Sequence, residues 1–302
     1  MNPVFRLSRF GLALLSLVLF SVAAFAQDDD EPLQVESTLV VVNATITDSN
    51  GKPFLGLKKE QFKVFEDGKE QQIEVFGAEK TPYAAIILLD SSGSMESRIS
   101  LARSAAIQFL DRLRTDDMTA IYNFDSKISL VQDFSNSRDI YEGVFDIKAN
   151  GMTVLNDAIY KAAEELGKRP EKRRAIIVLS DGADTQSKHS ADKALKAALA
   201  ANATIYTVDM SAMDSNTKER IQNQGVLKNF AEKSGGKFVA TPGGTAMREA
   251  FKNIAEELGI QYTIGYQPTN TAKDGKWRNI ELKTDKTGLN IRARKGYSAP
   301  KK

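Results

Sequence analysis

The sequence predicts an α/β fold: a doubly wound, mostly parallel sheet with a small flanking β-sandwich built from the N- and C-terminal segments. Three observations predict it. Apolar strand patterns alternate with amphipathic helical patterns through residues 82–265, and β-type patterns without helices occupy residues 38–80 and 266–302. Helices between strands are the crossovers that parallel strands need. The composition agrees, since 42% of the 302 residues are hydrophobic and 26% are charged, as in ordinary globular chains.

The first 26 residues have the pattern of a secretory signal peptide. Arg6 and Arg9 precede an uncharged apolar run that ends in Ala24-Phe25-Ala26, after which we expect cleavage. An uncleaved membrane anchor is the alternative, because the run approaches the roughly 17 residues that span a bilayer. Cleavage predicts an exported protein, periplasmic or extracellular, that keeps no membrane span. Residues 27–37, which begin with an acidic run, are interpreted as an acidic linker.

The two β-type segments are expected to pack on each other. Residues 38–80 form a small β-rich module in which Val40 to Thr47 alternates as a strand. Residues 266–302 contain strand patterns at 277–283 and 289–294 around a turn, which predicts a C-terminal β-hairpin. Neither segment is long enough to bury a core alone, so a shared sandwich would supply what each lacks.

Between these segments lies the α/β region, assigned to residues 82–265. The short link formed by residues 125–127 predicts that the strands on either side of it form an antiparallel pair at a sheet edge. Periodicity assigns the other elements. Strands are predicted at residues 84–89, 119–124, 128–134, 175–180, 204–208 and 262–266, and helices at residues 99–113, 155–166, 191–201, 220–233 and 246–258.

Missing and rare residue types exclude several kinds of site. The chain has no cysteine, which excludes disulfides, thiolate zinc sites, iron–sulfur clusters and a cysteine nucleophile. Its single histidine, His189, lies in a polar pattern and is predicted to be a solvated loop residue without a catalytic role. The chain has 41 basic and 39 acidic residues, and two of the basic ones lie in the signal segment, so nothing in the charge points to nucleic acid as a partner.

Five oxygen-bearing residues are candidates for one site. Asp90, Ser92 and Ser94 follow a buried strand with the spacing Asp-x-Ser-x-Ser, Asp181 follows a second such strand, and Thr153 lies on a loop just before a helix. Loops at the carboxyl ends of parallel strands meet at one edge of a sheet, where such folds bind ligands. Hydroxyls and carboxylates without sulfur or imidazole suit a hard cation such as Mg²⁺. Two carboxylates match the charge of the ion, so it remains able to accept an acidic group from outside.

Helix capping is the alternative interpretation of the same residues, because Asp and Ser are common at helix starts and in turns. We favour the metal site, because three separate loops that supply oxygen atoms at one sheet edge are more than capping requires.

The pattern Asp90-x-Ser92-x-Ser94 with Thr153 and Asp181 resembles the metal-ion-dependent adhesion site of von Willebrand factor type A (VWFA) domains. The resemblance implies that the three hydroxyl groups coordinate Mg²⁺ or Mn²⁺, and that the two carboxylates act directly or through water. It also implies that an Asp or Glu of a partner protein completes the coordination.

The resemblance covers about residues 82–265. The flanking segments are similar to those of bacterial secreted VWFA-related proteins, through Phe62 to Lys69 and Arg292 to Tyr297. The leading hypothesis is therefore a secreted, metal-dependent protein-binding module for adhesion or scaffolding, and not an enzyme. The alternatives are a metal-assisted hydrolase that uses Asp90 or Asp181 as nucleophile or base, and a structural subunit of an envelope assembly machine.

Overall fold

The computed structural model describes residues 39–78, 80–139, 142–211, 217–240 and 244–301. The predicted signal peptide (1–26) and acidic linker (27–37) lie outside these residues. The strands are β1 (Val40–Thr47), β2 (Phe62–Glu66), β3 (Lys69–Gln71), β4 (Ile73–Gly77), β5 (Tyr83–Asp90), β6 (Met118–Phe124), β7 (Ile128–Ser135), β8 (Arg173–Ser180), β9 (Ala203–Asp209), β10 (Phe238–Val239), β11 (Tyr262–Tyr266), β12 (Trp277–Thr284), β13 (Asn290–Ala293) and β14 (Gly296–Ser298). The helices are α1 (Ile99–Leu110), α2 (Leu155–Gly167), α3 (Ala191–Ala200), α4 (Thr217–Ser234) and α5 (Gly244–Leu258).

A six-stranded sheet forms the centre of the molecule, in the order β10-β9-β8-β5-β6-β7. All neighbours are parallel except β6 and β7, which form an antiparallel pair at the edge. This confirms both the mostly parallel sheet and the predicted edge pair. Every residue of β5 is buried, as its continuous apolar run requires of a strand covered on both faces.

Helices cover both faces of this sheet. α1 and α5 pack on one face around Phe109 and Phe251, and α2, α3 and α4 pack on the other around Ile159, Leu195 and Phe230. The doubly wound α/β architecture predicted from the sequence is therefore confirmed. Over the ranges given above, no helix combines the length and the apolar content that crossing a membrane requires.

Strands from the two ends of the chain interleave in two further four-stranded sheets, ordered β13-β1-β11-β4 and β14-β12-β2-β3. Val42 and Ile264 of the first sheet share a buried core with Val64 and Ile280 of the second. Each sheet takes strands from before and after the α/β region, so the β-sandwich is formed jointly by both flanks.

Two details of the predicted organisation are wrong. The strand 262–266, assigned to the α/β region, pairs with β1 and β4 instead, and Tyr262 packs against Phe62 with ring centroids 5.3 Å apart. Four of the five residues of this strand are buried, and Tyr262, Ile264 and Tyr266 belong to the core of the sandwich. The C-terminal hairpin does not form either. β12 pairs with β2 and β14, whereas β13 pairs with β1 in the other sheet, because residues 285–289 cross between the sheets.

A buried polar cluster joins the α/β region to the first outer sheet. The Glu257 carboxylate, at the end of α5, accepts hydrogen bonds from Tyr206 Oη (2.7 Å) and Thr45 Oγ1 (3.1 Å) and pairs with Arg292 Nη2 at 2.5 Å. The Gln261 amide donates to both hydroxyl groups. One carboxylate thus connects a helix and a strand of the α/β region with two strands of the sandwich.

Candidate metal centre

The five predicted site residues lie at the carboxyl edge of the central sheet. Asp90 ends β5, and Ser180, the residue before Asp181, ends the neighbouring parallel strand β8. Thr153 lies on the loop that leads into α2. The Gly93 N–H donates to the Gly151 carbonyl (3.2 Å), which brings the loop after β5 against the loop before α2.

Asp90 lies beneath the pocket rather than in its wall. Its side chain is fully buried, and its two oxygens accept hydrogen bonds from the Ser92 N–H (2.9 Å) and the Ser180 hydroxyl (2.6 Å). Burial raises the pKa of Asp90 to about 6, although the hydrogen bonds from Ser180 and Ser92 act in the opposite direction. A neighbouring cation would offset the cost of keeping this carboxylate charged.

The other four residues line one pocket. Ser92, Ser94, Thr153 and Asp181 surround a half-open cavity of about 350 Å³. The hydroxyl oxygens of Ser92 and Ser94 are 3.2 Å apart. The structure thus brings together all the residues that the sequence singled out, with Asp90 directly behind Ser92.

Hydrogen bonds join the Thr153 loop to the loop that follows Asp181. The Thr153 N–H donates to Thr185 Oγ1 (2.9 Å), and the N–H groups of Thr185 and Gln186 donate to the Thr153 carbonyl (2.9 and 3.0 Å). Asp184 accepts from the Asn156 N–H at the start of α2 (2.8 Å). These bonds hold the two loops together, so that Thr153 and Asp181 line the same pocket.

The donor set fits a hard divalent cation. Two ligands at neighbouring corners of an octahedron around Mg²⁺ are about 3 Å apart, close to the separation of the Ser92 and Ser94 oxygens. Among the residues that the structure describes, no group of three or more His, Cys, Asp or Glu side chains forms a metal-binding cluster. The candidate centre therefore depends on its hydroxyl groups, and Ser92, Ser94, Thr153 and Asp181 are the residues that would hold the ion.

Sequence reasoning missed one wall of the pocket. Ser211, just after β9, and Glu219, Arg220 and Asn223 in the first turns of α4 line the same cavity. Asp209, which ends β9, stands two residues before Ser211 with the same Asp-x-Ser spacing as Asp90 and Ser92. Examining every predicted strand end for that spacing would have found it.

The His189 side chain makes more contacts than the predicted solvated loop residue would. Its ring stacks on Tyr160 with centroids 4.0 Å apart, and its Nδ1 is 2.6 Å from Asp157 Oδ1. Burial alone would raise the pKa of Asp157, but hydrogen bonds from the N–H groups of Lys188 and His189 and from the His189 ring outweigh burial and lower it. The cluster anchors the end of the loop that begins at Asp181, and it does not line the pocket.

The fold and the pocket together define a class: α/β domains in which hydroxyl and carboxylate side chains meet at the carboxyl ends of parallel strands. Residues 85–183, which include all five predicted site residues, match the family profile of the von Willebrand factor type A domain. In this region the chain is thus similar to a von Willebrand factor type A domain, in agreement with the resemblance seen in the sequence.

Similar proteins agree with this assignment. An uncharacterized protein from Synechocystis sp. is 25% identical over 184 residues, which cover 59% of this chain and 42% of that protein. Inter-alpha-trypsin inhibitor heavy chain H3 from Bos taurus is 28% identical over 120 residues, which cover 35% of this chain and 14% of that protein. The chain thus spans less than half the length of either curated relative.

Among solved structures, the chain is similar to the vWF domain of the type V pili tip protein Mfa5 from Porphyromonas gingivalis. The TM-score is 0.52 at 14% sequence identity, over 61% of this chain and 98% of that chain. At this level of identity the likeness supports the shared fold and nothing further.

Proposed function

We propose that the protein is an exported, divalent-metal-dependent protein-binding module and not an enzyme. A Mg²⁺ or Mn²⁺ ion held by Ser92, Ser94, Thr153 and Asp181, with Asp90 behind them, accepts an Asp or Glu side chain from a partner protein. The three hydroxyl ligands are neutral, so Asp181 and Asp90 alone offset the charge of the bound ion. The protein acts outside the cytoplasm, after removal of residues 1–26.

The observation that carries the proposal is the convergence of four oxygen-bearing side chains in one half-open pocket. Three of the four are uncharged hydroxyls, so they add no negative charge that would repel an incoming carboxylate. Residues 85–183 also match the family profile of the von Willebrand factor type A domain. These facts favour adhesion or scaffolding over chemistry.

Calorimetric titration of Mg²⁺ and Mn²⁺ into the chain from residue 27 onward tests the metal site. We expect binding by the wild type and a loss of at least tenfold in affinity for Ser94→Ala, because one direct ligand is removed. Ser94 is exposed, so its removal leaves the core unchanged. Ser97→Ala is the matched control, because Ser97 is exposed nearby and does not line the pocket. A folded wild type that binds neither ion contradicts the proposal.

The hydrolase alternative predicts a different result. Arg220 lies in the wall of the pocket, where a cation suits a phosphate group. We nevertheless expect no Mg²⁺-dependent turnover of p-nitrophenyl phosphate or p-nitrophenyl acetate by the wild type. Turnover that disappears in both Asp90→Ala and Arg220→Ala would favour the hydrolase instead.

A further inference from the structure

Two strands of the central sheet end in the same local arrangement. At the end of β5, the Ser92 N–H donates to Asp90 Oδ1 at 2.9 Å, and at the end of β9 the Ser211 N–H donates to Asp209 Oδ1 at 2.9 Å. Both aspartates are fully buried, and both serines line the same pocket. β8 lies between these strands, and Asp181 follows it directly. The pocket therefore has a second Asp-x-Ser corner that the metal site does not use.

Ser211 differs from Ser92 in what its hydroxyl group does. Ser211 Oγ donates to Asp209 Oδ1 at 2.5 Å, so its remaining hydrogen-bonding capacity is that of an acceptor. The Ser211 carbonyl accepts from Arg98 Nη2 at 3.2 Å, just before α1. With its N–H, O–H and carbonyl all engaged and only 4% of its surface exposed, Ser211 is held in one orientation.

The same aspartate also positions the start of α4. Gln224 Nε2 donates to Asp209 Oδ2 at 2.7 Å. One residue earlier, Asn223 lines the pocket, and the Asn223 main-chain carbonyl lies so close to Gly182 that a Cβ there would come within 2.6 Å of it. The wall formed by Ser211 and Asn223 is thus held against both the Asp181 loop and the start of α1.

We propose that Ser211 and Asn223 form a second subsite, which accepts a hydrogen bond from an N–H group beside the carboxylate that binds the metal. The Ser211 hydroxyl oxygen is an acceptor, and Asn223 and Glu219, which line the same wall, each have a side-chain oxygen that can accept. A peptide segment carries main-chain N–H groups within a few bonds of an Asp side chain, whereas a simple carboxylic acid carries none. The inference rests on the proposed function and adds to it a second contact, between the pocket wall and a main-chain N–H group next to the acidic residue.

The test compares two probes that share a carboxylate. The first is N-acetyl-aspartate N′-methylamide, and the second is its fully N-methylated counterpart, which has no N–H. Broadening of the probe proton signals by the Mn²⁺-loaded protein measures each affinity. We expect the wild type to bind the first probe about three- to tenfold more tightly, the effect of one or two hydrogen bonds.

Three variants locate the effect. In Ser211→Ala and Asn223→Ala, we expect the preference for the first probe to shrink to less than twofold, while affinity for the N-methylated probe stays unchanged. Gln222→Ala is the matched control, because Gln222 is exposed on the same turn of α4 and does not line the pocket. We expect Gln222→Ala to keep the full preference for the first probe. If Ser211→Ala does not fold, Asn223→Ala alone decides the result.

The outcomes separate the two proposals. Equal affinity of the wild type for both probes, with Mn²⁺ bound, overturns the subsite and leaves the metal-dependent function intact. A preference that survives in both variants also overturns it. Absence of Mn²⁺ binding by the folded wild type overturns the proposed function and the subsite together.

Discussion

The polar side chains at the two ends of the central sheet differ in their surroundings. At the amino end, where β8 begins, the buried Arg173 guanidinium donates to the Gln261 carbonyl, and Arg294 donates to the Leu199 carbonyl at 3.2 Å. Burial lowers the pKa of both arginines to about 10. At the carboxyl end, where β8 ends at Ser180, the polar side chains face an open cavity. One end is covered by the first outer sheet, and the other is left open.

The comparison separates polar side chains that stabilise the fold from polar side chains that are available for binding. Glu257, which joins the α/β region to the same outer sheet, is 9% exposed and has three protein donors, so its charge is compensated within the molecule. The pocket hydroxyls and Asp181 are arranged around space instead. We therefore expect substitutions at the closed end to change stability and those at the open end to change binding, as the following predictions test.

The largest effect is expected at Glu257. Glu257→Gln leaves Arg292 without its carboxylate partner, which we expect to cost about 3 kcal/mol of unfolding free energy. Urea unfolding measures the change. The matched control is Glu256→Gln, at an exposed neighbouring position, with a change below about 0.5 kcal/mol. An equally large loss of Mn²⁺ affinity in folded Glu257→Gln would contradict the separation of the two ends.

A smaller effect is expected at Gly182, which lies where the loop after β8 packs against α4. Its φ of +83° and the 2.6 Å approach of a Cβ to the Asn223 carbonyl make Gly182→Ala strained, with an expected loss of about 2 kcal/mol. Gly167→Ala is the control, since a Cβ there has nothing within 4 Å. The same urea unfolding experiment compares the two variants. Equal stabilities would show that α4 shifts to accommodate the added Cβ without loss of stability.

The third effect is expected at Asp90, is about as large as that at Gly182, and depends on pH. Without metal, burial raises its pKa from 3.8 to about 6, so between these values the native state binds more protons than the unfolded state. The contribution of this group to stability therefore falls as pH rises through that interval. With EDTA present, we expect Asp90→Asn to gain about 2 kcal/mol relative to wild type between pH 4 and pH 7.

Unfolding at both pH values measures this gain. Asp111→Asn, at an exposed position just after α1, is the control and should follow the wild type at both. A wild type that loses no stability relative to Asp90→Asn as the pH rises would show that the buried carboxylate costs nothing without its ion.

The strand ends were predictable because their signal is local. Continuous apolar runs identified β5 and β8 as covered strands, and Asp90 and Asp181 follow them directly in the sequence. The wall at α4 was not found, because α4 is a largely polar helix and nothing local indicates that Glu219 or Asn223 turns toward a loop about 40 residues earlier. The sheet to which β11 belongs was also missed, since five residues of alternating size do not specify their neighbours.

The interleaved outer sheets have a consequence for the order of folding. β1 takes β11 and β13 as its neighbours, and both are separated from it by more than 200 residues of sequence, whereas the most distant neighbours in the central sheet, β5 and β8, are 90 residues apart. Closing so long a loop is slow compared with forming local contacts. The α/β region is therefore expected to assemble first, and β1 and β4 to keep unpaired edges until the last forty residues of the chain reach them.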